Sequence, residues 1–235
     1  ELFKMDGIII ASPNHTHFEY ISKLQEYNGY IFCEKPPVTS IKHHNILKKF
    51  SDERKRKIYF NFNFRFSEIS KIIKNQLNSS DIGKVIHIDI KSTYGLAFKK
   101  EYLESWRSNG KENMYNIIDT LAVHYIDLII FHFGKPKTYQ CIPKLISKNG
   151  TSYDTSFIIF EYDSFTVSIL NSYAATFVQD ISIIGTNGYS NIDDNKNITY
   201  SPRDTFDSKG FFTSPPICSK SNFDANNDYT YSLEK

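Results

Sequence analysis

Two short segments, each following an apolar run, carry side chains suited to ligand binding or proton transfer. Residues 13–17 have the sequence Pro-Asn-His-Thr-His, and residues 34–37 have the sequence Glu-Lys-Pro-Pro. His15 and His17 have a spacing compatible with metal ligation, but no third ligand of a suitable type lies nearby in the sequence. Contact with a cofactor is therefore the better functional interpretation of residues 13–17. A polar loop that leads into a helix is the structural alternative.

Lys35 follows a short apolar run and precedes two prolines. In a crevice between domains this lysine would be partly desolvated, which favours its neutral form and lets it share a proton with a reacting oxygen. A neighbouring carboxylate, here that of Glu34, opposes this shift. On an open surface the same residue would be an ordinary solvated lysine before a proline turn, and the tripeptide alone leaves both alternatives open.

A third candidate lies within an apolar stretch of helical spacing. Residues 119–127 have the sequence Asp-Thr-Leu-Ala-Val-His-Tyr-Ile-Asp, which places His124 on a mostly apolar helix. On a regular α-helix Thr120, four residues earlier, shares a face with His124, whereas Asp119 lies about 100° around the helix from that face. An isolated histidine in this setting can also be a core residue with its hydrogen bonds satisfied.

The fourth candidate is the single tryptophan of the chain, Trp106, which is followed by Arg107. An arginine beside a tryptophan can stack on or clamp an anionic ligand. The alternative role for Trp106 is that of a hydrophobic anchor for its loop.

The first 63 residues have the alternating pattern of a parallel α/β unit. In chain order the pattern predicts strand 6–12, helix 16–28, strand 30–34, a helix from Thr39 or Ser40 to about Phe50, and strand 57–63. Thr16 and Glu19 have the spacing of a capping box. The second helix carries Ile41, Ile46, Leu47 and Phe50. Such alternation places the carboxyl ends of the strands at one edge of the sheet, where folds of this kind bind ligands.

After residue 66 the pattern becomes that of an α+β unit. Helices are predicted over 67–78 and 114–133, and strands over 84–93, 137–144, 153–162, 165–173 and 179–185. Asn187-Gly188 is a strong hairpin signal, and strands at this spacing without intervening helices indicate an antiparallel or mixed sheet. Residues 190–235 have no pattern that places an element. The sequence thus predicts two domains, residues 1–64 and residues 65–235.

Composition excludes several classes of protein. The 235 residues include 28 basic and 26 acidic side chains without a basic block, so nucleic acid is not an expected partner. No apolar run approaches the roughly 20 residues that cross a bilayer, so a membrane is not expected either. The three cysteines, Cys33, Cys141 and Cys218, have wide and irregular spacing. This spacing fits reduced thiols in the cytoplasm better than a disulfide framework or a zinc site.

The order and spacing of the candidate segments closely resemble those of the Gfo/Idh/MocA family, whose members are NAD(P)-dependent oxidoreductases of sugars, polyols and related compounds. The resemblance extends from residue 6 to about residue 188. It is carried by Ile-Ala-Ser-Pro-Asn-His-Thr-His at 10–17, Glu-Lys-Pro at 34–36, Asn-Phe-Arg-Phe at 63–66, Trp-Arg at 106–107 and His-Tyr-Ile-Asp-Leu at 124–128. The Glu-Lys-Pro tripeptide is its most specific part.

The resemblance implies a fold, a cofactor and a reaction. The fold would be the later part of a Rossmann domain followed by an α+β domain on a large, open, predominantly antiparallel sheet. The outer face of that sheet would form the interface of a homo-oligomer. The cofactor would be NAD or NADP. A hydride would pass between the nicotinamide and a carbon-bound hydroxyl of a sugar, sugar nucleotide or cyclitol.

The resemblance also implies roles for individual residues. His124 would take the proton from the substrate hydroxyl, and Lys35 would lie beside the nicotinamide and the reacting carbon. Thr120 and Asp119 complete the candidate catalytic set. The residues expected to bind the cofactor or to line its cleft are Ser12, Pro13, Asn14, His15, His17, Glu34, Lys35, Arg65, Trp106 and Arg107.

The chain departs from the family pattern before this histidine. The family often has aspartate four residues before the histidine, where this chain has Thr120, with Asp119 one residue earlier. Either the helix is locally distorted, or Thr120 takes part, or the catalytic set is incomplete. A glycine-rich stretch that often precedes the helix is replaced by Gly-Lys-Glu-Asn-Met at residues 110–114.

A larger departure concerns the start of the Rossmann fold. The chain contains no Gly-x-Gly-x-x-Gly, the turn that binds the pyrophosphate of a dinucleotide. We therefore expect a fragment of a longer protein that lacks roughly two βα units. Such a fragment would bind a dinucleotide poorly and turn over nothing by itself. The uncovered edge of its parallel sheet would make it unstable.

Two alternatives to an enzyme of this family follow from the same residues. A non-catalytic binding or structural protein would keep the fold and the sheet interface but lose the chemistry, as the threonine at position 120 permits. A metal-dependent hydrolase built around His15, His17 and His124 is a poorer alternative and predicts bound zinc.

Overall fold

The computed structural model describes residues 5–193 and 195–224, and its first sheet has three parallel strands. In the order in which they pair, these strands are β1 (Gly7–Ile10), β2 (Tyr30–Cys33) and β3 (Ile58–Phe60). The helices that alternate with them are α1 (His17–Lys23), α2 (Ile41–Leu47) and α3 (Asp52–Lys55). The parallel β-α-β-α-β order predicted from the sequence is confirmed, although α1 is shorter than its predicted range.

The two helix starts that the sequence predicts differ in the structure. Ser40 begins α2, and its hydroxyl accepts a hydrogen bond from the backbone N–H of His43, as an N-cap residue does. The capping box predicted for α1 is wrong. The Thr16 hydroxyl donates to the Pro13 carbonyl oxygen at 2.7 Å, because the 3₁₀ turn Asn14–Thr16 directs it back toward the preceding loop.

The apolar residues of α2 are only partly covered. None of the residues of α2 is buried, and Ile41 and Ile46 are 75% and 38% exposed. Leu47 and Phe50 pack partly against the core of the small sheet. The seven-residue helix therefore contacts this core through its C-terminal end.

The second sheet has eight strands in the order β11-β10-β9-β8-β4-β7-β6-β5. Its strands are β4 (Val85–Thr93), β5 (Thr138–Lys144), β6 (Thr155–Glu161), β7 (Thr166–Ser172), β8 (Val178–Gly185), β9 (Tyr189–Asp193), β10 (Lys196–Tyr200) and β11 (Ile217–Asn222). Each neighbouring pair is antiparallel except β4 and β7, which are parallel. The expected large, predominantly antiparallel sheet is confirmed. The parallel pair brings the ends of β4 and β7 to the same edge.

The helices of this part are α4 (Glu68–Leu77), α5 (Lys100–Leu103), α6 (Gly110–Asn113) and α7 (Val123–Phe133). Gly134 ends α7 in the left-handed region with φ of 73°, and its N–H donates to the Ile130 carbonyl oxygen. The long helix predicted over 114–133 is observed without a break over 116–133, but it is not a regular α-helix in its first part. A π-helical turn, Ile118–Ala122, precedes α7.

The larger of the two cores lies between the eight-stranded sheet and helices α4 and α7. The sheet contributes alternating residues such as Ile88, Ile90, Val167 and Ile169, all of which are 0% exposed. The residues that cover them from the helices are Ile69, Ile72, Ile73, Tyr125, Leu128 and Ile129. The core of the small sheet has six buried residues, which are Ile10, Ile21, Leu24, Tyr27, Ile31 and Cys33.

The region after residue 188 contains three strands that the sequence pattern did not place. Residues 186–188 form the predicted turn between β8 and β9, and a Cβ atom on Gly188 would lie 2.3 Å from the Tyr200 carbonyl oxygen. Glycine is therefore required there. Residues 225–235 lie outside the described residues, and the predicted domain division at residue 64 stays a prediction. Within the described part of the chain no helix combines the length and apolar character needed to cross a bilayer.

Candidate active site

A cavity of about 500 Å³ lies between the two sheets, at the carboxyl ends of their parallel strands. From the small sheet, the residues that line it follow β1 and β2 and are Ala11, Ser12, Asn14, Glu34 and Lys35. From the other side, the lining residues are Tyr94, Leu96, Glu101, Tyr102, Ser105, Trp106, Arg107, Thr120 and Tyr173. The structure thus gathers Ser12, Asn14, Glu34, Lys35, Trp106, Arg107 and Thr120 of the predicted site around one space.

Lys35 connects the two sides of this cavity. Its Nζ atom donates a hydrogen bond to the carbonyl oxygen of Thr120, 2.5 Å away. Burial lowers the pKa of Lys35 to about 8, with a smaller contribution from Arg107, while Glu34 and Asp119 oppose the change. A lysine with this pKa can both hold and release a proton near neutral pH.

The π-turn Ile118–Ala122 resolves the spacing that the sequence analysis left open. The N–H of Val123 donates to the carbonyl oxygen of Ile118, five residues earlier, as in a π-helix. On a regular α-helix, residues five apart would point about 140° away from each other. The π-turn changes this angle, and both Asp119 and His124 interact electrostatically with Lys35. Of the three alternatives left open by the sequence, the local distortion of the helix is the one observed.

Asp119 and His124 both have pKa values displaced by burial. Burial raises the pKa of Asp119 to about 7, against the opposing effect of the Lys35 ammonium. Burial lowers the pKa of His124 to about 3, and Lys35 adds to this effect. The imidazole is therefore neutral at neutral pH. Neither residue lines the cavity, but both interact electrostatically with Lys35, which does.

His124 also packs against an aromatic ring. Its imidazole stacks on Phe64 with the ring centroids 4.5 Å apart, and its Nδ1 atom is buried without a hydrogen-bond partner among the described residues. Phe64 belongs to the 3₁₀ turn Asn63–Phe66 that follows β3. The segment between the two sheets therefore fixes one face of the imidazole.

Asn14 is the residue of the first loop that best fits a bound cofactor. It lines the cavity, is 4% exposed, and neither its Oδ1 nor its Nδ2 atom has a hydrogen-bond partner in the described part of the protein. A buried carboxamide without partners costs free energy unless a ligand satisfies it. The Ser12 hydroxyl, 2.6 Å from that of Thr16, is a second polar group on this wall.

The other residues predicted in this loop lie elsewhere. His17 does not line the cavity: the residue is 1% exposed, and each ring nitrogen lies 2.8 Å from a carbonyl oxygen, of Ser12 or of Pro36. The ring therefore links the loops after β1 and β2. His15 packs edge-on against Trp106, with ring centroids 6.0 Å apart, and Pro13 does not line the cavity.

Arg65 also lies away from the cavity, although the sequence analysis expected it to bind the cofactor or to line its cleft. Its guanidinium makes two hydrogen bonds with the Asp127 carboxylate, at 2.8 and 2.6 Å, and it does not line the cavity. Its planar group lies over the rings of Phe62 and Phe131. The arginine thus links the 3₁₀ turn Asn63–Phe66 to α7 through its hydrogen bonds with Asp127. No local pattern predicts this pair, because its two residues lie 62 positions apart.

Three tyrosines on the cavity wall were missed by the sequence analysis. Tyr94 and Tyr173 directly follow β4 and β7, and Tyr102 ends up beside Tyr173, with ring centroids 6.1 Å apart. A signal for two of them is visible afterwards. Ser92-Thr93-Tyr94 and Asn171-Ser172-Tyr173 end two strands that pair in parallel, so the tyrosines come to one edge.

The described residues contain no group of three His, Cys, Asp or Glu side chains that could hold a metal ion. His15, His17 and His124 in particular are separated by their individual contacts. The arrangement therefore gives no support to the metal-dependent hydrolase.

Comparison with known proteins agrees with this geometry. Residues 71–190 match the profile described as the GFO/IDH/MocA C-terminal domain. The chain belongs to the Gfo/Idh/MocA family. Residues 1–62 match the family's second profile, described as an oxidoreductase family with an NAD-binding Rossmann fold. Both expectations drawn from the resemblance, the family and the fold class, are confirmed.

Two curated relatives show how the chain relates to named enzymes of the family. It is 23% identical to glucose-6-phosphate 3-dehydrogenase of Bacillus subtilis over 160 residues, which cover 67% of this chain and 45% of the relative. It is 27% identical to inositol 2-dehydrogenase of Rhizobium meliloti over 193 residues, which cover 78% of this chain and 56% of the relative. The chain thus spans about half the length of these curated relatives.

Solved structures show the same fold. An oxidoreductase from Thermotoga maritima matches with a TM-score of 0.80 at 18% identity, over 100% of this chain and 68% of that one. An inositol dehydrogenase homologue from Azotobacter vinelandii, solved with NADH and myo-inositol, matches with a TM-score of 0.74 at 15% identity, over 93% and 56% of the two chains.

Proposed function

We propose that the protein is an NAD(P)-dependent oxidoreductase that acts on a carbon-bound hydroxyl of a sugar, sugar nucleotide or cyclitol. The observation that carries this proposal is the position of Lys35. Its ammonium lines a cavity at the carboxyl ends of parallel strands, has a pKa near 8, and interacts with Asp119 and His124. This is an arrangement for moving a proton near neutral pH.

The residues present fit a nicotinamide cofactor on one wall of the cavity. The unpartnered carboxamide of Asn14 offers both a donor and an acceptor, and Ser12, Trp106 and Arg107 line the same space. When bound, the nicotinamide supplies the acceptor or donor of the hydride. The Arg107 guanidinium, 4.7 Å from the Trp106 ring, would contribute positive charge toward a phosphate or other anionic group.

Side chains of this protein would bind the substrate hydroxyl and move its proton. Lys35 Nζ would donate a hydrogen bond to the hydroxyl oxygen and stabilise the negative charge that develops there. The neutral imidazole of His124 would accept the proton by way of Lys35, which lines the cavity and interacts with His124, and the Asp119 carboxyl would adjust the charge of Lys35 through their interaction. In the reverse direction the same groups would return the proton to the oxygen.

The alternative of a non-catalytic protein loses its main support. That alternative depended on a threonine in place of the family's aspartate, and the π-turn brings Asp119 into electrostatic contact with Lys35 instead. This favours an intact proton-transfer set.

The test is hydride transfer by the full-length protein, followed as NAD(P)H absorbance with glucose 6-phosphate and myo-inositol as probes. Lys35→Met should lower kcat by about 100-fold or more, because general acid–base groups contribute about 10²–10⁴-fold. The matched control Lys42→Met changes an exposed lysine of α2 and should leave kcat unchanged. Equal activity of the two variants would contradict the role of Lys35. If the intact wild-type protein also failed to bind NAD or NADP, the oxidoreductase assignment would be overturned.

We further propose a homo-oligomer that forms through the outer face of the large sheet. The side of the sheet away from α4 and α7 carries partly exposed apolar residues, including Ile142, Phe157 and Ile184 at 38%, 37% and 38% exposure. Ile142 and Phe157 are paired in neighbouring strands. Sedimentation analysis should show an oligomer that Phe157→Lys dissociates, and a wild-type monomer at micromolar concentration would contradict the proposal.

The domain division and the cellular location are proposals of the same kind. Two domains divided near residue 64 are supported by the two separate sheets and cores. A cytoplasmic location is supported by the free thiols of Cys33, Cys141 and Cys218.

A further inference from the structure

Two hydroxyl groups that the proposed reaction does not use, those of Thr120 and Tyr173, form hydrogen bonds at the π-turn. Thr120 Oγ1 donates a hydrogen bond to the carbonyl oxygen of Asn116 at 2.5 Å, and it lies 2.6 Å from the phenol oxygen of Tyr173. A threonine hydroxyl has one proton, and it is used toward Asn116. The phenol of Tyr173 is therefore the donor to Thr120, and it also has a hydrogen bond with the phenol of Tyr94.

Burial supports this direction of donation. Tyr173 is 2% exposed, and burial raises the pKa of its phenol well above the usual value, so that the phenol keeps its proton at any physiological pH. A protonated phenol is available as a donor under all the conditions in which the protein works.

Tyr173 is itself fixed by the large sheet. It directly follows β7, its N–H donates to the Asp154 carbonyl oxygen at 2.7 Å, and its carbonyl oxygen accepts from the N–H of Ala97 at 2.9 Å. The position of the phenol is therefore set by strands on the well-packed side of the molecule and not by the π-turn.

The π-turn contacts Lys35 as well as Tyr173. The carbonyl oxygen of Thr120, in the same turn, accepts the hydrogen bond from Lys35 Nζ. A threonine that bonds to the carbonyl four residues earlier is known to bend helices, and here it lies within the π-turn. The turn thus connects a fixed phenol of one sheet to the lysine that follows β2 of the other.

We propose that the hydroxyl groups of Thr120 and Tyr173 form a positioning pair that holds the π-turn in the shape that presents the Thr120 carbonyl to Lys35 and Asp119 to its ammonium. This inference rests on the proposed function, because it gives Thr120 a positioning role within that site. It replaces the expectation that Thr120 is itself catalytic. Neither hydroxyl has to touch substrate for the pair to act.

The experiment measures the reactivity of Lys35 in the full-length protein without cofactor or substrate. Competitive labelling with acetic anhydride from pH 6 to pH 11, read by mass spectrometry, gives the midpoint of its titration, with exposed Lys42 as the internal reference. The variants are Thr120→Val, which keeps the branched shape but removes the hydroxyl, Tyr173→Phe, and Thr120→Ser, which keeps a hydroxyl.

Thr120→Val and Tyr173→Phe should each raise the midpoint of Lys35 by about one pH unit, because release of the turn exposes the ammonium to water and desolvation is the main cause of its low value. Thr120→Ser should restore the wild-type midpoint. The double variant should shift no further than either single one, because each substitution alone already removes the hydrogen bond between the two hydroxyl groups. The midpoint of Lys42 should not change in any variant.

Folded Thr120→Val and Tyr173→Phe variants with midpoints within roughly 0.3 unit of wild type would overturn the positioning role. The same conclusion would follow if Thr120→Ser behaved like Thr120→Val. If Thr120→Val fails to fold, Tyr173→Phe decides the question, and if neither folds the pair is a stability element and the proposal is wrong. Failure of the oxidoreductase assay would leave these labelling results unchanged, so the two proposals fail separately.

Discussion

Strand β1 of the small sheet and strand β4 of the large sheet differ in how completely their apolar residues are covered. Ile9 in β1 is 76% exposed, whereas Ile88 and Ile90 in β4 are 0% exposed. β1 is apolar on both of its faces, whereas β4 alternates apolar residues with the polar His87, Asp89 and Lys91, so Ile9 lies on a face that would carry a polar residue in β4. The large sheet is covered by α4 and α7, while α2 beside the small sheet has no buried residue.

This difference has a consequence for the site. Lys35 belongs to the sparsely packed unit, but the carbonyl that receives its hydrogen bond and the carboxyl that interacts with it belong to the turn before α7. The well-packed unit therefore provides the fixed part of the site. The lysine is placed relative to it by contacts across the cavity.

The largest effect that tests this comparison comes from truncating the large core. Ile90→Ala should lower the free energy of unfolding by about 2–5 kcal/mol, because it leaves a cavity in a fully buried layer. The matched change Ile9→Ala removes the same atoms from an exposed position and should cost less than about 0.5 kcal/mol. Urea unfolding measures both. Similar losses for the two variants would mean that β1 is covered in the protein as it exists in solution.

The second effect concerns the two titratable residues near the π-turn, which should affect stability with opposite signs. The folded chain holds the Asp119 proton up to about pH 7, whereas the unfolded chain releases it near 3.8. In that window the folded state binds more protons, and its stabilisation falls as the pH rises. His124 binds a proton below about 6.5 when unfolded but only below about 3 when folded. Its contribution is therefore lost as the pH falls below 6.5.

Between pH 4 and pH 6.5 these two contributions oppose each other, and single substitutions should reveal each one. Relative to wild type, Asp119→Asn should become more stable as the pH rises through this window, and His124→Asn should become less stable. Thermal unfolding at a series of pH values measures this. Asp163→Asn changes an 89% exposed carboxylate and should give a nearly constant difference. Trends of the same sign for Asp119→Asn and His124→Asn would refute the assignment of the two shifted groups.

A smaller effect is expected from the ion pair that fastens the segment between the sheets to α7. Asp127→Asn keeps the shape of the side chain but removes the charge that Arg65 binds, and it should cost about 1 kcal/mol because the pair is partly exposed. Asp163→Asn removes a surface partner of Lys137 and should cost almost nothing. Equal losses in urea unfolding would mean that the Arg65 pair contributes no more than a surface pair.

The smallest effect on stability is expected at the exposed edge of the small sheet. Ile9→Ser should change the free energy of unfolding by less than about 0.5 kcal/mol. It should nevertheless reduce concentration-dependent association, since Ile9 belongs to the apolar surface formed with Ile8, Ile10, Tyr20 and Leu24. Light scattering against concentration measures this. Unchanged association would show that this surface does not drive self-contact.

The sequence predicted the parts of this molecule that depend on local pattern. Period-two and period-3.6 spacing located β1 to β8 to within a few residues but not β9, β10 and β11, and strand ends located Lys35 and Asn14 at the cavity. The order of the strands in the large sheet, and the pairing of β4 with β7, depend on contacts between residues 79 positions apart and are not visible in a local pattern. The partners of Arg65 and His17 were missed for the same reason.

The sequence predicted those site residues that can be recognised by their type. It did not predict the arrangement that depends on the backbone geometry of the π-turn. The π-turn could not be derived from helical spacing, because a period of 3.6 residues assumes a regular helix. The sequence could state only that Asp119 was one position out of place. The hydroxyl pair that holds the turn joins residues 53 positions apart and required the structure.

The π-turn also affects how related sequences should be aligned. Compared with the family pattern that this chain resembles, the acid lies one residue further from the histidine, while the π-turn Ile118–Ala122 leads into α7 with its buried face on the core. A search pattern with a fixed gap of three residues between Asp and His would discard this chain as lacking its acid. A pattern that allows three or four intervening residues, and asks for a hydroxyl-bearing residue directly after the acid, would retain it. It would also separate relatives with inserted turns from those that have lost the acid.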